Sequence, residues 1–157
     1  MKKIVTIILC LAMIGLTACG AKGNNDSGRD TKKDKVTNYD FQAELKKVED
    51  EVAALEKRLQ EDGSLTQADL NELSGEIYKL WDGLLNDMWE AMETELDGDT
   101  MDTLTQDHQE WITDKDAEVK KAGETYAGGS IAVLIMNEKA AELTKARVYE
   151  LAPYFVE

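Results

Sequence analysis

The sequence predicts an all-α protein, an up-and-down bundle of about four helices held together without disulfides. Three observations predict it. Apolar residues recur at helical spacing through most of residues 38–157. Glycine-centred breaks, each followed by a capping residue, divide that stretch into four. Strand signals are weak throughout, and Ile131 to Met136 is the one short ambiguous run.

The first helix is expected from about Asp40 to Gln60. Phe41, Leu45, Val48, Val52, Leu55 and Leu59 alternate steps of four and three, the seam of a helix that packs on another helix. About three heptads make a marginal coiled coil, so packing onto the rest of the chain is preferred to dimerisation. Glu61-Asp62-Gly63-Ser64 is a break, with Gly63 suited to a left-handed turn. Ser64 or Thr66 then caps a second helix, with Gln67 or Asp69 three residues on.

The second helix carries Leu70, Leu73, Ile77, Leu80, Trp81, Leu84, Leu85, Met88, Trp89 and Met92, a broad apolar stripe that reads as core. Gly75 and Gly83 lower its propensity and would let neighbouring backbones come close. Asp97-Gly98-Asp99 is the next break, with Asp99 as the expected cap of a third helix and Asp102 in its first turn. The spacing of Asp97, Asp99 and Asp102 does not match an EF-hand loop, which argues against calcium. The third helix gathers Met101, Leu104, His108, Trp111, Ile112 and Lys115 on or near one face, extended by Val119 and Ala122. Gly128-Gly129-Ser130 supplies a left-handed stop and a serine cap for the last helix, about Ile131 to Ala152, which halts near Pro153.

Ahead of this domain, residues 1–18 read as a targeting segment. Lys2 and Lys3 precede an apolar run, Ile4 to Leu16, that is too short to span a bilayer comfortably. It ends in Leu16-Thr17-Ala18-Cys19-Gly20, which resembles the lipobox of bacterial lipoprotein precursors. That resemblance implies cleavage before Cys19, acylation of its thiol, and a cell-membrane protein anchored on the extracytoplasmic face through the bilayer. Residues 19–37 then form the lipidated cysteine and a flexible tether rich in Gly, Asn, Asp, Ser and Lys. Its slight positive charge either holds it near anionic headgroups or marks a plain solvated spacer.

With Cys10 in the discarded run and Cys19 lipidated, no thiol remains for a disulfide, a metal or catalysis. His108 is the only histidine, so a zinc site is not expected, and nothing calls for a cofactor. Loss of residues 1–18 removes two of 18 basic residues and none of 32 acidic ones, leaving a net −16. From Asp82 to Glu118 thirteen acids face Lys115 alone. Phosphate would be repelled, which excludes nucleic acid; a cationic protein suits such a surface, and so does a merely solvated face.

Leu85-Asn86 with Trp89, Leu96-Asp97, Trp111 with Lys115-Asp116, Gly128-Gly129-Ser130, and Leu143-Thr144 with Arg147 carry a family resemblance in their order and spacing. Over residues 85–151 the chain resembles the bacterial envelope domain named after the lysozyme inhibitor LprI, with residues 38–84 as an N-terminal helical extension. Where family members commonly carry two cysteines, this chain has Val119 and Lys139, and the family's usual arginine is Lys115, which keeps the charge but loses the planar fork. Lys115, four residues after Trp111, reaches the indole face. From their joint place in the motif, Asp116 is expected to pair with Arg147 across two helices. Read so, the motif is structural, and no base or nucleophile accompanies it.

The resemblance implies a non-enzymatic binding module that inhibits lysozyme, commonly a strongly basic protein, by covering its cleft with an acidic helical surface. Candidate contacts are Asp97, Asp99, Asp102, Asp107 and Glu110, together with the turn from Tyr126 to Ser130. The alternative is an envelope scaffold that binds another helical protein through the first helix. Oligomeric state is not legible.

Overall fold

The computed structural model describes residues 35–155; the targeting segment, Cys10, Cys19 and the tether as far as residue 34 lie outside them. Four helices make up the domain: α1 (Phe41–Glu61), α2 (Gln67–Glu95), α3 (Gly98–Glu124) and α4 (Ile131–Leu151), closed by a 3-10 turn at Ala152–Tyr154. There is no strand among the described residues, and the ambiguous run at Ile131 is the start of α4. No helix among them is long and apolar enough to cross a membrane.

Local chemistry sets the ends of each helix. Asp40 caps α1, its carboxylate accepting from Ala43 N at 3.1 Å. Thr66 and Asp69, one of the two expected pairs, form a reciprocal capping box at the start of α2. At α3 the cap is Asp97 rather than Asp99. Its carboxylate accepts from Thr100 N at 3.2 Å, so the helix starts earlier and Asp99 falls in the first turn. Gly128 has φ of 83°, the left-handed stop expected before α4. Gly63 is not in that conformation, because the Asp62 N–H closes α1 on the Arg58 carbonyl without it. Ser130 makes no side-chain cap either; its carbonyl instead accepts from Asn71 of α2 at 3.0 Å.

Side-chain pairings give the helix directions. Trp89 with His108, and Tyr78 with Lys115, run α2 against α3. Gly123 against Met136, and Asp107 against Arg147, run α3 against α4. Phe41 with Phe155, and Glu49 with Tyr149, run α1 against the C-terminal arm. The chain is therefore an up-and-down bundle, as its short connections predict. Its most extensive helix–helix packing is between the parallel pair α2 and α4, with α1 against α2 and α3 against α4 on either side.

Glycine and a small polar patch allow that packing. A Cβ on Gly75 would lie 3.3 Å from Asn137 Nδ2, and Asn137 itself donates to Asn71 O and Ser74 Oγ, both at 3.1 Å. Gly83 meets nothing within 4 Å and has no such role. The core runs along α2, where Trp81, Leu84, Leu85, Met88 and Met92 are buried against Val148 and Leu151 of α4. The seam of α1 joins it through Phe41, Leu45, Val48 and Val52, whereas Leu55 and Leu59 are only half-buried. That seam packs within the chain, the preferred reading.

The folded domain begins earlier than residue 38. Val36 is 4 % exposed, belongs to the core, and donates its N–H to Tyr154 O at 2.8 Å. Buried Glu95, at the end of α2, accepts from the backbone N–H groups and side chains of both Thr37 and Asn38 at 2.9–3.0 Å. A carboxylate with four donors is well compensated for its burial. Lone Val36 in a polar segment gave no sign of this docking.

Candidate partner-binding face

The motif residues of α2, α3 and α4 meet in one ladder. Trp89 stacks on His108 with ring centroids 4.2 Å apart and planes 24° apart, and His108 stacks on Trp111 at 5.1 Å and 22°. Lys115 Nζ lies 5.0 Å from the Trp111 centroid, as the four-residue spacing predicts, and 3.5 Å from Tyr78 Oη. Arg147 places its guanidinium 5.7 Å from the same indole. The ladder ties α3 to both α2 and α4.

Arg147 does not meet Asp116. It is 2 % exposed, donates to Asp107 Oδ2 at 2.5 Å and pairs with Glu150 at 3.0 Å. Asp107 precedes Trp111 by four residues and shares its side of α3, while exposed Asp116 lies nine residues past Asp107, about two and a half turns on and on the opposite side. Ile112, expected near the inner face, is 40 % exposed.

Burial holds the His108 imidazole below its ordinary pKa, and the Arg147 and Lys115 cations add to that effect. A neutral ring between two indoles follows. His108 Nδ1, Arg147 Nε and the fully buried Thr144 Oγ1 have no hydrogen-bond partner among the described residues. Gly128, Gly129 and Ser130 sit at the far end of α3, away from this cluster, and serve the turn. The ladder is a packing device: Trp89, His108, Trp111 and Lys115 are half-buried, and Asp107 at its margin is 58 % exposed.

The outward side of α3 is different. The helix carries eight acids against three lysines. Asp99, Asp102 and Glu110 fall on the side turned away from Leu104 and Trp111, and Asp114, seven residues past Asp107, lies at the edge of that side; all four are exposed. Among the described residues Asp102, Glu110 and Asp114 have no cationic partner, whereas three of the six acids of α1 are paired along its own length: Lys46 with Asp50 at 2.7 Å, Lys47 with Glu44 at 3.7 Å and Lys57 with Glu61 at 3.9 Å. Of the five acids singled out from sequence, Asp99, Asp102 and Glu110 lie on this face. Asp97 is engaged in the cap and Asp107 with Arg147. Asp114 joins them four residues after Glu110, a helical step that sequence spacing alone shows. No group of three or more metal-ligating side chains converges among the described residues.

Compared with known protein families, the chain matches the family model described as Lysozyme inhibitor LprI over residues 60–151. The match takes in all of α2, α3 and α4, and so begins well before Leu85. No curated protein and no solved structure matches the chain.

Proposed function

This chain belongs to the LprI lysozyme-inhibitor family, and on that footing we propose that it is a non-enzymatic binding module that captures lysozyme on the outward face of α3. The observation that carries the reading is the row of exposed carboxylates Asp102, Glu110 and Asp114, without cationic partners, on a helix that the aromatic ladder holds rigidly in place. Fixed negative charge of this kind accelerates encounter with a basic protein and orients it without a large conformational cost. Inhibition works by occlusion, with α3 and the exposed turn Tyr126–Ser130 lying against the basic substrate cleft.

The bundle works outside the cell, carried by acylated Cys19 on the membrane. The lipobox-like Leu16-Thr17-Ala18-Cys19 after an apolar run supports that placement. A fragment of residues 35–157 is expected to slow the clearing of a cell-wall suspension by lysozyme, with the effect fading as salt rises. No slowing at low ionic strength overturns the proposal.

A further inference from the structure

On the side of the bundle away from α3 the helices leave a cleft. The seam of α1 is buried only as far as Val52; beyond it Leu55 and Leu59 are half-exposed, and α1 stands off from α2 and α4. The gap is about 590 Å³, within the ~300–1,000 Å³ of ordinary binding clefts. Its floor is mostly apolar, made by Leu59 of α1, Leu70, Ile77 and Trp81 of α2, and Leu134 and Ala141 of α4, with Ser74 of α2 among them. Along α2 it extends from Leu70 to Trp81, about 16 Å or three helical turns. Ile131, one turn before Leu134 on the same side of α4 and 39 % exposed, continues the apolar strip beyond the mouth.

The walls carry more negative than positive charge. Glu56 on α1 and Glu138 on α4 stand on opposite rims, both exposed, and neither has a cationic partner among the described residues. Glu142 is already paired with Lys139 at 3.1 Å. Among the described residues that line the cleft, the one cation, Lys145, lies 5.1 Å from the centroid of the Trp81 ring at one end of the floor.

We propose that this cleft receives a basic amphipathic helix from another protein. An apolar trough three turns long takes about three anchor side chains at i, i+3 or i+4, and i+7. Carboxylates on both rims suit lysines on the two shoulders of such a helix and repel an acidic one. The site is separate from the α3 face, so the domain presents two binding surfaces on opposite sides.

A fluorescent amphipathic peptide of about four turns, with leucines on one face and lysines on the shoulders, tests this by anisotropy against the fragment of residues 35–157. Saturable binding is expected. Glu56→Gln with Glu138→Gln weakens it about fivefold, and Leu134→Lys, at a half-exposed position that leaves the fold intact, weakens it about tenfold. Neutralising α3 with Asp102→Asn, Glu110→Gln and Asp114→Asn leaves peptide affinity within about twofold. Melting curves confirm that each variant is folded. The proposal is overturned if no saturable binding occurs, or if a peptide of equal charge with serine in place of leucine binds as well. It is equally overturned if the α3 variant loses as much affinity as the cleft variants, since the attraction is then to bulk charge.

Discussion

Arg147 of α4 reaches Asp107 of α3, its Nη2 2.5 Å from the carboxylate, while the guanidinium plane lies against Trp111. The pair is lopsided: Arg147 is enclosed and Asp107 is 58 % exposed. Most of its value therefore comes from the arginine's packing and from satisfying a buried cation, not from the Coulomb attraction.

Substitution should expose that asymmetry. Arg147→Ala is expected to destabilise the domain by about 3 kcal/mol, whereas Asp107→Asn, which leaves Glu150 beside the arginine, costs about 1 kcal/mol. Urea unfolding of both variants checks this; equal losses would mean that the ion pair itself dominates.

Glu95 fastens the segment before α1 to the end of α2. Glu95→Ala is expected to cost about 3 kcal/mol, because the four donors of Thr37 and Asn38 lose their acceptor. In a fragment beginning at Tyr39 those donors are gone, and the same substitution should cost under about 1 kcal/mol. Undiminished loss in the shorter fragment would show that Glu95 acts elsewhere.

His108 makes the fold acid-sensitive. Its folded pKa is held below the unfolded value of 6.5, so the unfolded chain takes up a proton first. The corresponding stability is complete above pH 6.5 and is lost as pH falls through the lower folded pKa. Melting temperature should decline between about pH 7 and 5, and His108→Phe, which keeps the ring stack without titrating, should flatten that slope. A slope unchanged by His108→Phe would assign it to the carboxylates.

Two tyrosines should titrate late. Burial, with Asp87 and Glu44 nearby, pushes Tyr39 up to about 12, and the hydrogen bond that Tyr149 donates to Glu49, aided by burial, pushes Tyr149 to about 12. Their neutral forms favour the fold, so that stability is present below the ordinary value of 10.0 and lost as pH rises through 12. Ultraviolet titration should show the late phase in wild type, and Tyr149→Phe should reduce it; an unchanged late phase would refute the tie to Glu49.

The helices were legible because their signals are local. The α1 seam, the Thr66–Asp69 box and Gly128 are read from residues a few positions apart, and each is found in place. The Trp111–Lys115 contact was legible for the same reason. Helical phase already puts Asp116 across α3 from Trp111; what local spacing does not carry is the axial offset between helices, which decides which acid of the inner side reaches Arg147. The motif placed Asp116 with Arg147, but the crossing of α3 and α4 brings Asp107 there. The docking of Val36, Thr37 and Asn38 was equally hidden, since its receptor Glu95 lies nearly sixty residues away and looks like one more surface acid. On the acidic face, helical phase sets Asp102 and Glu110 apart from Asp107 once the inner side of α3 is known, whereas Asp114 lies almost in phase with Asp107, two turns on, and differs from it in not meeting Arg147.

The α3 face is tested most directly by the affinity of the fragment of residues 35–157 for lysozyme, measured by calorimetry with two charge-matched triple variants. Asp102→Asn, Glu110→Gln and Asp114→Asn on α3 should weaken binding about tenfold, while Asp50→Asn, Glu51→Gln and Glu61→Gln on α1 should change it by less than about twofold. Equal losses from the two variants would contradict a docking face on α3 and leave only the attraction of a basic protein to overall charge.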